Sequence, residues 1–298
     1  MKDQNCYTIL IFGATGMLGH KLMQVLSKRF SVTGTVRADA SGFSHHPVFA
    51  GMNIIGNVRA DDLDSIRHTI EQSNPDVVVN CIGIVKQLRA AQDPLQSITI
   101  NALFPHQLAK ICQEKKTRLI HMSTDCVFSG NKGHYTENDP SDADDLYGKT
   151  KYLGEIDYPG CLTIRTSIIG RELNTTHGLI EWFLSQQGKK ISGYKKAVFS
   201  GLTTNALSEI ISQIIYEYPE IKGVHQIASE PISKYDLLNL VKKTYHVPIS
   251  IELDETVIND RSLNPNKFKS KTDIVIPSWE KMIDQMYHDS TPYDQLRN

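Results

Sequence analysis

Tyr7-Thr8-Ile9-Leu10-Ile11-Phe12-Gly13-Ala14-Thr15-Gly16-Met17-Leu18-Gly19 sets the frame for the rest of the chain. Its first six residues are a continuous apolar, β-prone run that fits a strand buried on both faces. Three glycines follow at once, spaced G-x-x-G-x-x-G. Residues 20–28 then carry Leu22, Met23, Val25 and Leu26 at helical spacing. Strand, glycine turn and helix in that order make a dinucleotide-binding turn credible. Gly13 lets the chain turn, Gly16 lets the backbone approach a pyrophosphate, and Gly19 lets the helix pack close to the strand. The helix N-terminus then faces the anion. Thr15, Met17 and Leu18 complete this cofactor-binding turn.

Outward from the turn, the same alternation repeats. A second strand over residues 31–36 ends at Arg37. A carboxylate there would bond the ribose 2′-OH of NAD, whereas Arg37 suits a 2′-phosphate and favours NADP(H). A short third strand, 52–55, leads to Asn57 and Val58, placed to flank an adenine, and Asp61 or Asp62 is placed to cap the next helix. The fourth strand, 76–80, runs into Cys81, Ile82 and Gly83. In an open parallel sheet the ligand lies beyond the carboxyl ends of the strands, so these three should line the cofactor. Nothing nearby in sequence would acidify Cys81, so a reactive thiol is not expected. The pattern predicts an α/β fold with a doubly wound parallel sheet.

Asp93-Pro94 opens a further helix that meets Pro105, which cannot donate to the carbonyl of Asn101. The expectation is a kink that frees the Asn101 carbonyl to hold a water near Lys151. A fifth strand, 118–122, ends in Ser123-Thr124-Asp125, where the Thr124 hydroxyl is placed to bond a carbonyl substrate. Tyr147 and Lys151 follow, four residues apart and so on one helix face. A nearby ammonium lowers the pKa of a phenol, and such a Tyr can pass a proton to a carbonyl under reduction. The acidic stretch Asp142, Asp144, Asp145 reads as a solvated face or a helix cap, and no metal site is expected.

Composition bounds the function. The 298 residues are 40% hydrophobic and 22% charged with a net charge of −1, ordinary for a soluble globular protein and without the basic excess of a nucleic-acid or membrane binder. The 5 cysteines are scattered, with no C-x-x-C pair, so neither a disulfide framework nor structural zinc is indicated. No run is long enough for a signal or a membrane span, and a cytoplasmic location is the expectation.

The ordered set Gly13-x-x-Gly16-x-x-Gly19, Asn101, Ser123-Thr124-Asp125 and Tyr147-x-x-x-Lys151 resembles the extended short-chain dehydrogenase/reductases. The similarity is closest to the dTDP-4-dehydrorhamnose reductase branch. Ser123-Thr124-Asp125-Cys126-Val127-Phe128 looks like its S-T-D-Y-V-F, and Tyr147-Gly148-Lys149-Thr150-Lys151-Tyr152-Leu153-Gly154-Glu155 like its Y-G-x-[ST]-K-x-x-G-E. Ile164-Arg165-Thr166-Ser167 and the segment 262–268 match further motifs, so the resemblance spans nearly the whole chain. It implies a Rossmann-type domain of residues 1–167 plus 201–228, and a smaller α+β substrate domain of 168–200 plus 229–298. The implied reaction is NADPH-dependent reduction of a nucleotide-linked 4-keto-6-deoxyhexose for cell-surface polysaccharide precursors. Tyr147 would protonate the C4 oxygen, Thr124 orient it, Lys151 hold the nicotinamide ribose, and Asn101 support the proton relay.

Three departures fall on the substrate side. Cys126 stands where Tyr is usual, Ile168 where an aromatic is usual, and the segment 80–88, which contains Lys86, replaces the usual N-A-A-A-x-T-x-V-D. A UDP-linked 2-acetamido-4-keto-6-deoxyhexose is therefore an alternative substrate. Lys86, Thr124, Asp125, Cys126, Ile168 and Arg261 are the expected substrate contacts, with Arg261 suited to a diphosphate. Lys189, Lys190, Lys195 and Lys196 form a basic surface able to steer one. Trp182 is expected in core or lid packing. Dehydratase chemistry lacks its acid/base pair after Thr124. A non-catalytic NADP-binding regulatory subunit remains the reading from another class, although such members would be expected to lose parts of the Thr/Tyr/Lys set. The oligomeric state is left open, a homodimer included.

Overall fold

Strands that are apolar on both faces need cover on both faces. In the computed structural model seven of them form one parallel sheet: β1 (Thr8–Phe12), β2 (Ser31–Thr35), β3 (Asn53–Ile55), β4 (Val77–Asn80), β5 (Arg118–Met122), β6 (Cys161–Arg165) and β7 (Gly223–Gln226). Their spatial order is β7-β6-β5-β4-β1-β2-β3, every neighbouring pair parallel. The order reverses between β1 and β4, and such a switch point is where a doubly wound sheet holds its ligand. The structure describes residues 7–43, 45–86 and 89–296, without the side chains of residues 89 and 90. Cys6, and the Gln87-Leu88 end of the departing 80–88 segment, lie outside the described residues.

The helices are α1 (Gly19–Leu26), α2 (Leu63–Ser73), α3 (Pro94–Ser97), α4 (Phe104–Glu114), α5 (Leu146–Leu153), α6 (Leu179–Leu184), α7 (Thr204–Glu217), α8 (Lys234–Tyr245), α9 (Asn266–Lys269) and α10 (Trp279–Tyr287). Successive strand residues face opposite layers. Ile9 and Ile11 pack with Leu22 and Met23 of α1 and Leu207 and Ile211 of α7. Leu10 and Phe12 pack with Ile66 of α2 and Phe104 and Leu108 of α4. Side-chain caps start the helices: Asp62 accepts from Ser65 N, Asp93 from Leu95 N, Thr203 from Ala206 N and Ser233 from Asp236 N.

Pro105 does not produce a kinked end. Residues Ile98–Leu103 widen into a π-helical turn, in which Phe104 N–H bonds to the Thr99 carbonyl. The extra residue per turn places Pro105 in the first turn of α4, where its missing N–H is not needed.

Three small sheets lie outside the seven-stranded one. Ile168–Ile169 pairs with Leu202–Thr203, Ala197–Phe199 lies between Ile232–Ser233 and Asn259–Asp260, and Lys190–Tyr194 pairs with Ser250–Asp254. They are stitched to the loop that follows β5: Asp260 N–H bonds to the Gly130 carbonyl at 2.7 Å and Tyr135 N–H to the Ser262 carbonyl at 2.9 Å.

The glycine turn shows why its residues cannot be larger. Gly13 has φ +85°, and a Cβ on Gly19 would lie 2.0 Å from the Gly13 carbonyl oxygen. Gly19→Ala is expected to destabilise the chain by roughly 1–3 kcal/mol through overpacking against backbone that cannot yield. Urea unfolding measures this, and an unshifted midpoint would contradict the close approach.

Candidate active site

The carboxyl ends of β1, β2 and β4 open onto a cleft of about 900 Å³. Gly13, Thr15, Gly16, Arg37, Val58, Cys81, Ile82 and Gly83 line it. Gly19 supports the turn from behind, and the Leu18 side chain is buried in the core at 5% exposure, so neither residue lines the cleft. Met17 turns its Cε toward Gly178. Asn57 is exposed, with φ 60°, and its N–H is bonded to the Ala38 carbonyl. A turn whose Gly13 has φ +85° and whose Gly19 leaves no room for a Cβ, an adjoining cleft of nucleotide size, and Arg37 and Arg59 in its lining together suit a phosphorylated dinucleotide.

On α5, Asp145 accepts from Gly148 N–H at 2.7 Å and caps the helix that carries Tyr147 and Lys151. Thr124 ends the extended chain after β5. Its hydroxyl donates to Asp125 Oδ1 at 3.1 Å, accepts from Cys126 N–H at 3.1 Å, and neighbours the Tyr147 phenol. The expected acidification of that phenol by Lys151 is not present. Burial pushes the Tyr147 hydroxyl well above its usual value, with the Cys126 thiol adding to the rise and Thr124 opposing it. Lys151 instead donates to the Met122 carbonyl at 2.6 Å. Burial pulls its ammonium down to about 8, against the attraction of Glu155. Each group is thus biased toward its neutral form, and the phenol is held protonated, the state a proton donor needs.

Asn101 also differs from expectation. Its carbonyl lies against Gly154, 1.9 Å from a Cβ built there, rather than released toward a water beside Lys151. Its side chain faces the site. Oδ1 accepts from Ile84 N–H at 2.8 Å and Nδ2 donates to the Ile84 carbonyl at 3.0 Å. Asn101 Oδ1 and Lys151 Nζ lie 3.4 and 3.9 Å from a Cβ built on Gly83.

On the substrate side, Arg261 Nε donates to the Phe128 carbonyl at 2.8 Å, and its Nη1 lies 4.0 Å from Cys126 Sγ. Burial raises the Asp125 carboxyl, with Arg261 opposing, and pushes the Cys126 and Cys81 thiols up to about 12, so both are inert. Lys86 pairs with the capping Asp145 at 2.6 Å. Ile168 packs against the main core. Among the other expectations, Trp182 is 39% exposed on α6 rather than packed inside. The basic surface is largely neutralised, with Lys190, Lys195 and Lys196 paired to Glu252, Asp236 and Glu255. Asp142 accepts from Ser129 N–H, so the acidic stretch serves local hydrogen bonds. Among the described residues no helix is long and apolar enough to cross a membrane.

The model of the RmlD substrate-binding domain matches residues 7–291. This chain belongs to that family. It is 25% identical over 311 aligned residues to a dTDP-4-dehydrorhamnose reductase of Salmonella typhimurium, covering 95% of this chain and 99% of the relative. The same-named protein of Streptomyces griseus is 31% identical over 148 residues, which span 49% of this chain and 43% of that relative. Among solved structures, a dTDP-4-dehydrorhamnose reductase from Bacillus anthracis in complex with NADP superposes with a TM-score of 0.79 at 17% identity, covering 94% and 98% of the two chains. That likeness fixes the fold.

Within this RmlD-family site, three residues escaped the sequence reading. Arg59 lines the cleft beside Arg37 and is paired with Asp61, Nε to Oδ1 at 3.1 Å and Nη2 to Oδ2 at 2.8 Å. Glu155 accepts from Ser123 Oγ at 2.6 Å and from Arg165 Nε and Nη2, each at 2.7 Å. Arg59 follows directly on the Asn57-Val58 pair and Glu155 closes the Tyr147 motif, so position alone could have flagged both. Asn174 reaches the cleft from a distant segment that carried no such signal.

Burial of Lys151 has a measurable consequence. Between about pH 8 and its unfolded value the unfolded chain holds a proton that the folded chain lacks, so stability climbs with pH across that window. Lys151→Met is expected to be more stable than the native chain at neutral pH, with the gap closing by on the order of 2 kcal/mol as pH rises through that window. Urea unfolding of both proteins at several pH values tests it, and a pH-independent gap would refute the shift.

Proposed function

We propose that the protein reduces the C4 keto group of a nucleotide-linked 4-keto-6-deoxyhexose with NADPH. The observation that carries this is the Thr124–Tyr147–Lys151 set, whose Lys151 Nζ lies 3.9 Å from a Cβ built on the cleft-lining Gly83. Bound NADPH would supply a hydride to C4. Tyr147, kept protonated by burial, would give its proton to the C4 oxygen while Thr124 hydrogen-bonds that oxygen. Lys151 and Asn101, which meet at Gly83, would hold the nicotinamide ribose and steady the relay. Arg37 and Arg59 would pair with the 2′-phosphate, Arg59 leaving Asp61 to do so. Arg261 and Lys86 would face the sugar diphosphate, and Cys126 and Ile168 the sugar.

This reading divides the chain into residues 1–167 plus 201–228 for the cofactor and 168–200 plus 229–298 for the substrate, and places the enzyme in the cytoplasm supplying polysaccharide precursors. Membership of a family whose full-length relatives are named dTDP-4-dehydrorhamnose reductase supports a deoxysugar nucleotide. Loss of NADPH absorbance with dTDP-4-keto-L-rhamnose, and separately with a UDP-linked 2-acetamido-4-keto-6-deoxyhexose, tests it. Turnover of the first is expected; turnover of the second alone would make Cys126 and Ile168 the specificity determinants. NADPH binding without turnover of either would replace the proposal with a regulatory subunit.

Tyr147→Phe is expected to lower kcat roughly 10²–10⁴-fold with cofactor affinity kept. Wild-type turnover in that variant would remove Tyr147 as the donor. Arg59→Ala is expected to raise KM for NADPH roughly tenfold and to leave KM for NADH unchanged, the effect of one lost charge-assisted contact. Equal effects on both cofactors would remove Arg59 from the 2′-phosphate site.

A further inference from the structure

The carbonyl of Gly16, in the middle of the cofactor-binding turn, is bonded twice by one residue. His20 N–H donates to it at 3.1 Å, and His20 Nδ1 lies 2.9 Å from the same oxygen. A carbonyl only accepts, so Nδ1 carries the imidazole proton. Burial lowers the His20 pKa to about 4, so the ring is neutral and Nε2 is a bare acceptor. Tyr293 OH lies 2.9 Å from Nε2, 273 residues away in sequence, and must therefore be the donor. Tyr293 thus fixes the tautomer that lets His20 grip Gly16.

The grip sets the orientation of the Gly16–Met17 peptide. In a trans peptide the Met17 N–H points opposite to the Gly16 carbonyl. With the carbonyl drawn back along α1 toward His20, that N–H is directed away from the helix, to the side where the anion belongs. Glycine offers little resistance to a flip that would present the carbonyl oxygen to a pyrophosphate instead. The C-terminal segment is itself anchored. Lys21, 2% exposed, pairs with Asp289 at 2.6 Å and donates to Thr291 Oγ1 at 3.2 Å. The Arg171 guanidinium lies 4.9 Å from the Tyr293 ring centre while its Nη2 donates to Asp294 at 2.7 Å.

We propose that Tyr293, acting through His20, is a positioning residue for the pyrophosphate of the cofactor, so that the far C-terminus of the chain orders the turn that follows its first strand. This rests on the NADP(H) reading of the cleft. The test is calorimetric binding of NADP⁺ and, separately, of adenosine 2′-phosphate, which lacks the pyrophosphate, to the cofactor-free chain. No sugar substrate enters it, so it stands apart from the choice of substrate.

Tyr293→Phe keeps the ring and loses only the hydroxyl. It is expected to weaken NADP⁺ roughly threefold, and His20→Leu roughly tenfold, in keeping with one and two lost neutral hydrogen bonds. His20→Asn restores an N–H donor in place of Nδ1 and is expected to bind like Tyr293→Phe, with no further loss in the double variant. Adenosine 2′-phosphate is expected to bind all of them equally. Unchanged NADP⁺ affinity in Tyr293→Phe overturns the proposal, and so does equal weakening of both ligands, which would mark a general structural role. Tyr293→Phe and His20→Asn carry the test if His20→Leu does not fold.

Discussion

A carboxylate with two partners ties the reacting groups to the sheet. Glu155 lies just past the end of α5, and its side chain and that of Arg165 are 5% and 4% exposed. It takes both prongs of the Arg165 guanidinium from the end of β6 and the hydroxyl of Ser123 from the end of β5. A buried pair of this kind adds little net stability, because desolvation offsets most of the attraction. Its effect is on placement. A charge buried at this depth has low energy only in the one arrangement where its partners meet it, so α5 cannot slide or rotate over the strand ends without exposing an uncompensated ion. Ser123 precedes Thr124, and Glu155 lies one turn beyond Lys151, so a single anchor sets both halves of the proposed reacting group.

The opposite edge of the site is set by backbone geometry. The π-turn at Ile98–Leu103 lets a continuous helical path absorb Pro105, and it brings the Asn101 carbonyl against the bare Cα of Gly154. That contact allows the turn to lie directly against the end of α5. The amide of Asn101 is then free to face the other way and bind both backbone groups of Ile84, on the loop that follows β4. Loop, π-turn and α5 converge at Gly83. Burial there has one electrostatic sign for every titratable group: it favours neutral Tyr147, neutral Cys81 and a weakened Lys151 ammonium.

How much of this was legible in the sequence follows from the range of each interaction. The glycine turn, the strands and the caps at Asp62 and Asp93 are local, and periodicity or turn chemistry exposes them. The roles proposed for Thr124, Tyr147 and Lys151 come from spacing and from the resemblance of their motifs to a family. The direction of the Tyr147 shift was not legible. It depends on what surrounds the phenol, and a Lys four residues on shows its own carbonyl partner only in three dimensions. Tyr293 was missed for a related reason: it acts through His20, 273 residues away, and no spacing rule connects the two. Arg59 and Glu155 sit next to motifs already singled out, and their ion-pair partners, Asp61 and Arg165, appear only in three dimensions. The pairing of Lys190, Lys195 and Lys196 was not legible either, since their acidic partners at 252, 236 and 255 are remote in sequence.

The substrate side carries the chain's own character. With Cys126 in place of a tyrosine, the position next to Tyr147 holds a smaller group that stays neutral at any working pH and is a poor hydrogen-bond donor. Arg261 is committed through Nε to the Phe128 carbonyl, and its Nη1 lies 4.0 Å from the weakly accepting Cys126 sulfur. A guanidinium held at one end and under-used at the other is prepared for an anionic or carbonyl oxygen at little further cost in side-chain entropy. The stacked pair Phe128 and Tyr135, with ring centres 4.1 Å apart, keeps the carbonyl that holds Arg261 in place. Under the proposed function, recognition on this side would rest on Arg261 and the smaller side chain at 126, where an aromatic surface would have relied on stacking.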